Sequence, residues 1–87
     1  MYRVLLHKKV EQFLDLRDDN FVLLFWDKIR VLRKNPFDRS TNLDIVPLTG
    51  KKNHYRLRIG KYRFLYEVKK SEILIYFYKA DSRGGIY

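Results

Sequence analysis

An 87-residue chain that is 46% hydrophobic, with only 4 glycines and 2 prolines, is too apolar for disorder and long enough for one modest core, burying about 60 to 65% of the surface its unfolded form exposes. No apolar run approaches the ~20 residues of a membrane span, and no apolar segment followed by small residues opens the chain, so neither an anchor nor a signal peptide is expected and the cytoplasm is the implied compartment. The lack of cysteine excludes disulfides and thiolate chemistry, while 19 Lys and Arg against 10 Asp and Glu give a net charge of +9 and point to a polyanionic partner.

Tyr2 to Leu6 is a short β-prone run, and Lys8 to Leu16 switches to helical spacing with Val10, Phe13 and Leu14 on one side. Asp18 or Asp19 can cap a second helix ending near Lys34, with Phe21, Leu24, Phe25, Ile29 and Leu32 as its core stripe and Asn35-Pro36 as its stop. Val22, Leu23 and Trp26 point away from that stripe. Packing on the first helix is one use for them, and an exposed Trp26 would mark a docking surface. Residues 36–53 hold both prolines, the polar DRSTN and the run LDIVPLTG, and read as a loop and an extended connector.

The stretch YRLRIGKYRFLYEV, Tyr55 to Val68, alternates with period two around Gly60-Lys61, a two-residue hairpin signal with glycine first. The implied register pairs Ile59 with Tyr62, Leu57 with Phe64 and Tyr55 with Tyr66 on one face, and sets Arg58 opposite Arg63 on the other. Like charges directly opposite, with Cβ atoms about 5 Å apart, are destabilising, so a partner outside the fold is the expected reason for them. Lys69 to Glu72 turns the chain into a last strand, Ile73 to Lys79. Ile73, Ile75 and Phe77 then join Val68 on the apolar face, and Leu74, Tyr76 and Tyr78 join the arginine face. The order is strand, two helices, then an antiparallel sheet of about three strands. One α+β domain over residues 1–87 is expected, its two helices packed on a mainly antiparallel sheet. Arg83-Gly84-Gly85-Ile86-Tyr87 closes the chain, its glycines favouring a flexible tail.

Positive charge belongs to the C-terminal half: residues 1–50 hold 9 basic and 7 acidic residues, residues 51–87 hold 10 and 3. Lys51, Lys52, Arg56, Arg58, Lys61 and Arg63 follow one another with no acidic residue between. A charge run is often no more than a solvated face. Here, however, the expected sheet gathers His54, Arg56, Arg58, Arg63, Glu67, Tyr76 and Tyr78 on one side. Planar charged forks for phosphate and rings for stacking bases are what single-stranded RNA binding uses. The two histidines stand far apart and the carboxylates are scattered, which argues against a metal nuclease. Glycine-rich phosphate loops and serine or cysteine nucleophile motifs are absent, and no cofactor is implied.

The run HYRLRIGKYRFLYEV, preceded by PLTG and followed by a strand and SRGGIY, resembles the RelE family of toxins from bacterial and archaeal toxin–antitoxin pairs, over nearly the whole chain. The resemblance implies a RelE-like fold, entry into the ribosomal A site, and metal-free cleavage of messenger RNA by attack of a ribose 2′-hydroxyl on the adjacent phosphate. It also implies a cognate acidic antitoxin that wraps and neutralises the protein. Carried over residue by residue, the catalytic candidates are Arg56, Arg58, Arg63, Arg83 and Tyr87. Arg58 and Arg63 would clamp the scissile phosphate, Arg56 a neighbouring phosphate or the 2′-oxygen. Arg83 would stand near the leaving 5′-oxygen, and Tyr87 would stack on a base or relay a proton. Lys51, Lys52, Lys61 and His54 are RNA-binding candidates, the lysines as long-range phosphate contacts.

Relatives often carry lysine on the first hairpin strand, where a lowered pKa permits general-base work; arginine in both places here stays charged, so the base is unassigned. His54 offers one, and a cross-strand contact with Glu67 is the alternative that register favours. Some relatives have an arginine where this chain has Asp81, which makes Arg83 a register-dependent choice. His7 reads as structural, and Tyr55, Tyr62 and Tyr66 as core packing. Two further readings compete on the same fold: a ParE-like gyrase inhibitor that is not an enzyme, and a non-catalytic antitoxin-binding protein. The arginine set with Tyr87 favours the nuclease.

Overall fold

Helix placement in the first third of the chain follows its caps. In the computed structural model, which describes residues 1–38 and 41–82, strand β1 (Arg3–Leu6) leads into helices α1 (Lys8–Asp15) and α2 (Asp19–Leu32). His7 caps α1, its Nδ1 accepting from the Lys9 amide at 3.0 Å, and Asp18 caps α2 by accepting from the Phe21 amide at 2.8 Å. Each satisfies an amide that the first helical turn leaves without a backbone partner. The structural role expected of His7 is therefore this cap.

Strands β2 (Asp44–Pro47), β3 (His54–Ile59), β4 (Tyr62–Lys69) and β5 (Leu74–Ser82) join β1 in one sheet of order β1-β5-β4-β3-β2, antiparallel except for the parallel β1-β5 pair. Five strands thus stand where sequence spacing suggested a sheet of about three. The difference is β1, which returns to pair with the last strand after the two helices, and β2, a short edge strand within the expected connector. Pro47 is tolerated at that edge because its missing N–H costs no interior ladder bond.

The hairpin has its expected register, with Ile59 facing Tyr62, Leu57 facing Phe64, Tyr55 facing Tyr66 and Arg58 facing Arg63. Gly60 takes φ +59° while Lys61 stays out of the positive-φ region, the turn whose twist suits a two-residue hairpin. Strand β5 departs from simple alternation. Tyr66 faces Phe77 but Leu65 faces Lys79, so Tyr78 is an extra, bulged residue. Beyond the bulge Ala80 faces Phe64 and Asp81 faces Arg63. Ile73 does not open the strand on the apolar face as expected: with φ +51° it ends a 3-10 turn, Lys70–Glu72, and is exposed, whereas Leu74 is buried.

The two helices cover one sheet face. Val10, Leu14, Phe25, Ile29 and Leu32 meet Leu57, Phe64, Tyr66, Val68, Ile75 and Phe77 in one core, each large side chain worth about 1.5–3 kcal/mol on burial. The Phe25 ring lies 4.9 Å from Phe64 and 5.8 Å from Phe77 between centroids. The stripe of α2 is narrower than its sequence suggests: Leu24, expected inside, is 41% exposed, and Trp26 is 42% exposed against the edge of Phe25. Among the described residues, no helix is long and apolar enough to cross a membrane.

Tyr66 ties the loop after α2 to the sheet, its buried hydroxyl donating to the Pro36 carbonyl at 2.9 Å. Burial, with a smaller push from Tyr55, raises its phenol pKa well above the ordinary 10.0. The unfolded chain loses this proton first, so the stability it carries is fully present below about pH 10 and declines as the pH rises further. Tyr66→Phe is expected to lower the unfolding free energy by about 1–2 kcal/mol near neutrality. Urea titrations should show the gap to wild type narrowing between about pH 9 and about pH 11.

Candidate nucleic-acid interface

Alternation leaves the uncovered sheet face to Asp44 on β2, His54, Arg56 and Arg58 on β3, Arg63 and Glu67 on β4, and Tyr76 and Asp81 on β5. The bulge turns Tyr78 to the same side. Asp44, Arg58, Arg63 and Asp81 are successive cross-strand neighbours over β2, β3, β4 and β5. They form one row, negative at both ends and positive in the middle. Asp81 grips the guanidinium of Arg63 at two points, Nε to Oδ1 at 3.0 Å and Nη2 to Oδ2 at 3.2 Å. Arg58 Nε donates to Asp44 Oδ2 at 2.8 Å, and the other Asp44 oxygen makes a longer 3.5 Å contact with Arg56 Nη2.

The counter-charges that the facing arginines need thus come from the fold itself, which corrects the expectation of an outside partner as their reason. The side chains are 33% (Arg58), 41% (Arg63), 43% (Asp44) and 36% (Asp81) exposed. Pairs of this exposure are worth roughly 0.2–1 kcal/mol each. They hold the forks in place without sealing them from a solvent anion.

At the other end of β3, the His54 ring nitrogens meet two partners. Nδ1 lies 2.9 Å from the Tyr78 hydroxyl and Nε2 3.9 Å from Glu67 Oε2, with Lys69 Nζ 3.8 Å from the second Glu67 oxygen. The cross-strand contact that register favoured for His54 is present. Four residue steps along β3 separate His54 from Arg58, about 13 Å of strand, so the imidazole does not share an anion with the arginine row. Partial burial, then the nearby Glu67 charge, raises the Tyr78 phenol pKa above 10.0.

Arg56, Arg58 and Arg63 are brought together, as expected, on one face. Lys51 and Lys52 are exposed before β3 and Lys61 is exposed at the hairpin tip; the length of β3, about 20 Å, separates them. They flank the arginines and do not join them. Arg83 and Tyr87 lie outside the described residues. Among the described residues, no group of three or more His, Cys, Asp or Glu could hold a metal ion. Sequence reasoning missed Asp44 and Asp81. The alternation in LDIVP could have disclosed the first, but the second reaches Arg63 only through the bulge.

Helices on one face and ion-paired arginines on the other define a small α+β protein with a cationic, anion-accessible sheet. No protein-family model matches the chain. The RelE1 protein of Methanocaldococcus jannaschii is 36% identical to it, over 99% of this chain and 94% of its own length. A chain of the archaeal RelE–RelB complex from Pyrococcus horikoshii superposes with a TM-score of 0.84 at 30% identity, covering 97% of both chains. The isolated E. coli RelE toxin gives a TM-score of 0.79 over 95% of this chain and 85% of its own; at 12% identity, that likeness concerns the fold alone. The chain belongs to the RelE family of toxins.

Glu67→Gln removes the smaller of the two causes acting on Tyr78 and leaves its burial. Its phenol is expected to titrate lower than in wild type yet still above the ordinary 10.0, read by NMR of ring-labelled tyrosine.

Proposed function

We propose that this protein is the toxin of a type II toxin–antitoxin pair, a metal-independent endoribonuclease that acts in the cytoplasm on messenger RNA in the ribosomal A site. The observation that carries the reading is the convergence of Arg56, Arg58 and Arg63 on the sheet face that, among the described residues, no helix covers. In this mechanism the 2′-oxygen of one nucleotide attacks the adjacent phosphorus and the bond from phosphorus to the 5′-oxygen breaks, leaving a 2′,3′-cyclic phosphate and a 5′-hydroxyl. Arg58 and Arg63 stabilise the extra negative charge on the phosphorane, and Arg56 holds a neighbouring phosphate. Arginine does not take the 2′-hydroxyl proton, because it stays charged at any ordinary pH. Arg83 and Tyr87 complete the set by resemblance to the family, at the leaving oxygen and a stacked base. Lys51, Lys52 and Lys61 extend the phosphate track at either end.

An acidic antitoxin is the proposed protein partner. Support comes from the net charge of +9, from the exposed Leu23, Trp26 and Val31 on α2, and from the RelE–RelB complex of Pyrococcus horikoshii. One observation favours a second reading: Arg58 and Arg63 already hold carboxylates, which suits a fold that binds an antitoxin and cuts nothing.

Cleavage of 5′-labelled messenger RNA in EDTA, with and without programmed ribosomes, separates the two. The nuclease reading expects defined cuts with ribosomes, ending in 2′,3′-cyclic phosphate. Folded protein that makes no cut selects the binding-only reading, and a gyrase supercoiling assay then tests ParE-like inhibition. Arg63→Ala is expected to lower cleavage about 10²- to 10³-fold while the unfolding free energy moves by less than about 1 kcal/mol. Equal loss of folding and cleavage, followed by circular dichroism, would make Arg63 structural.

A further inference from the structure

We propose that Asp44 and Asp81 are positioning residues that act as internal competitors for phosphate, setting the affinity at which RNA takes Arg58 and Arg63. The inference rests on the RNA-binding part of the function proposed above. Its first support is the edge of the guanidinium in use. Asp81 occupies Nε and Nη2 of Arg63 at 3.0 and 3.2 Å, and a carboxylate and a phosphate present comparable paired oxygens to that fork. Phosphate that arrives there replaces the carboxylate; it does not bind beside it. At Arg58 the carboxylate of Asp44 takes Nε alone, at 2.8 Å, and phosphate that claims that donor displaces it.

The second support is what each carboxylate finds on leaving. Lys79 Nζ stands 4.0 Å from Asp81 Oδ2, and Arg56 Nη2 stands 3.5 Å from Asp44 Oδ1. A displaced carboxylate therefore still has a second cation beside it, Lys79 for Asp81 and the flank of Arg56 for Asp44, which lowers its repulsion of the incoming phosphate. Third, all four side chains of the row are between 33% and 43% exposed, so the exchange needs no opening of the core. Until RNA arrives each arginine of the row is held by its aspartate. A polyanion that releases counterions as it binds outcompetes a single carboxylate, whereas an isolated small anion gains little over it.

The test is binding of a fluorescent single-stranded RNA oligonucleotide with 2′-O-methyl riboses, which cannot be cleaved, across a salt series. Asp81→Asn and Asp44→Asn are compared with Asp27→Asn, which makes the same charge change and breaks the exposed Arg30 pair on α2. Each row variant is expected to bind about fivefold more tightly than wild type. For Asp81→Asn the slope of log K against log salt should steepen by up to about 0.7, one phosphate contact on a single strand. Asp27→Asn should stay within about twofold of wild type, and Asp81→Glu should return to wild-type affinity. Row variants that gain no more than Asp27→Asn, bind more weakly, or bind no RNA at all overturn the proposal. Asp44→Asn decides alone if Asp81→Asn does not fold. Because the probe is inert, a wild-type protein that cuts no messenger RNA defeats the nuclease reading and leaves this exchange measurable. One that cuts, with unchanged binding in the row variants, defeats the exchange only.

Discussion

Among the described residues, two helices cover one face of a five-stranded sheet and no helix lies over the other. That constraint organises the molecule. The strands put their apolar side chains toward α1 and α2, where Val10, Leu14, Phe25, Ile29 and Leu32 supply the helical cover over Phe64, Tyr66 and Phe77. On the other face the side chains of Arg58 and Arg63 are partly exposed to solvent. It is there that cations can gather without the desolvation cost that would forbid them in the core. The separation of structural and chemical duties follows from the pleat, since successive residues of β3 alternate between the two sides.

An uncovered face still has to be electrostatically tolerable to itself. Arg58 and Arg63 are neighbours across a strand pair that hydrogen bonding holds in fixed register, so they cannot relax apart by sliding. The fold answers with position: the next residue outward on each side is an aspartate. The arrangement costs no helix, loop or metal. It makes the cationic centre a local feature, because at a distance greater than the Debye length of about 10 Å the row is nearly neutral. Long-range attraction of a polyanion then falls to the lysines at the two ends of β3 and to the basic surplus elsewhere.

Much of this was legible in the sequence, and the boundary of legibility has a physical cause. The hairpin register follows from local chemistry, because strict alternation meets a Gly-Lys turn. The three hairpin arginines share a face for the same reason. The helix cap at Asp18 is equally local. What escaped depends on pairings made at long range or on exceptions to period two. Asp44 and Asp81 reach their arginines across 14 and 18 residues of chain. The β1-β5 pairing closes only after two helices intervene. Leu24 looked like core because helical spacing allows a wide stripe, while the actual sheet admits a narrower one. The family resemblance brought in Arg83 and Tyr87, to which no alternation argument could assign a face.

The bulge at Tyr78 carries a consequence for how such a protein can diverge. Were β5 to pair at the same length without the bulge, Leu65 would face Tyr78, Ala80 would stand opposite Arg63, and Asp81 would turn toward the helices. The counter-charge of the arginine row is therefore encoded in the irregular pairing of β5 as well as in the identity of its residues. Closing the bulge at constant length would exchange a neutralised arginine for an unopposed one while every basic residue stayed in place, whereas deleting Tyr78 would close it and keep Asp81 opposite Arg63. Whether the bulge is kept or closed is thus a separate axis of variation, one on which two chains with identical arginines can present different surfaces to the same ligand.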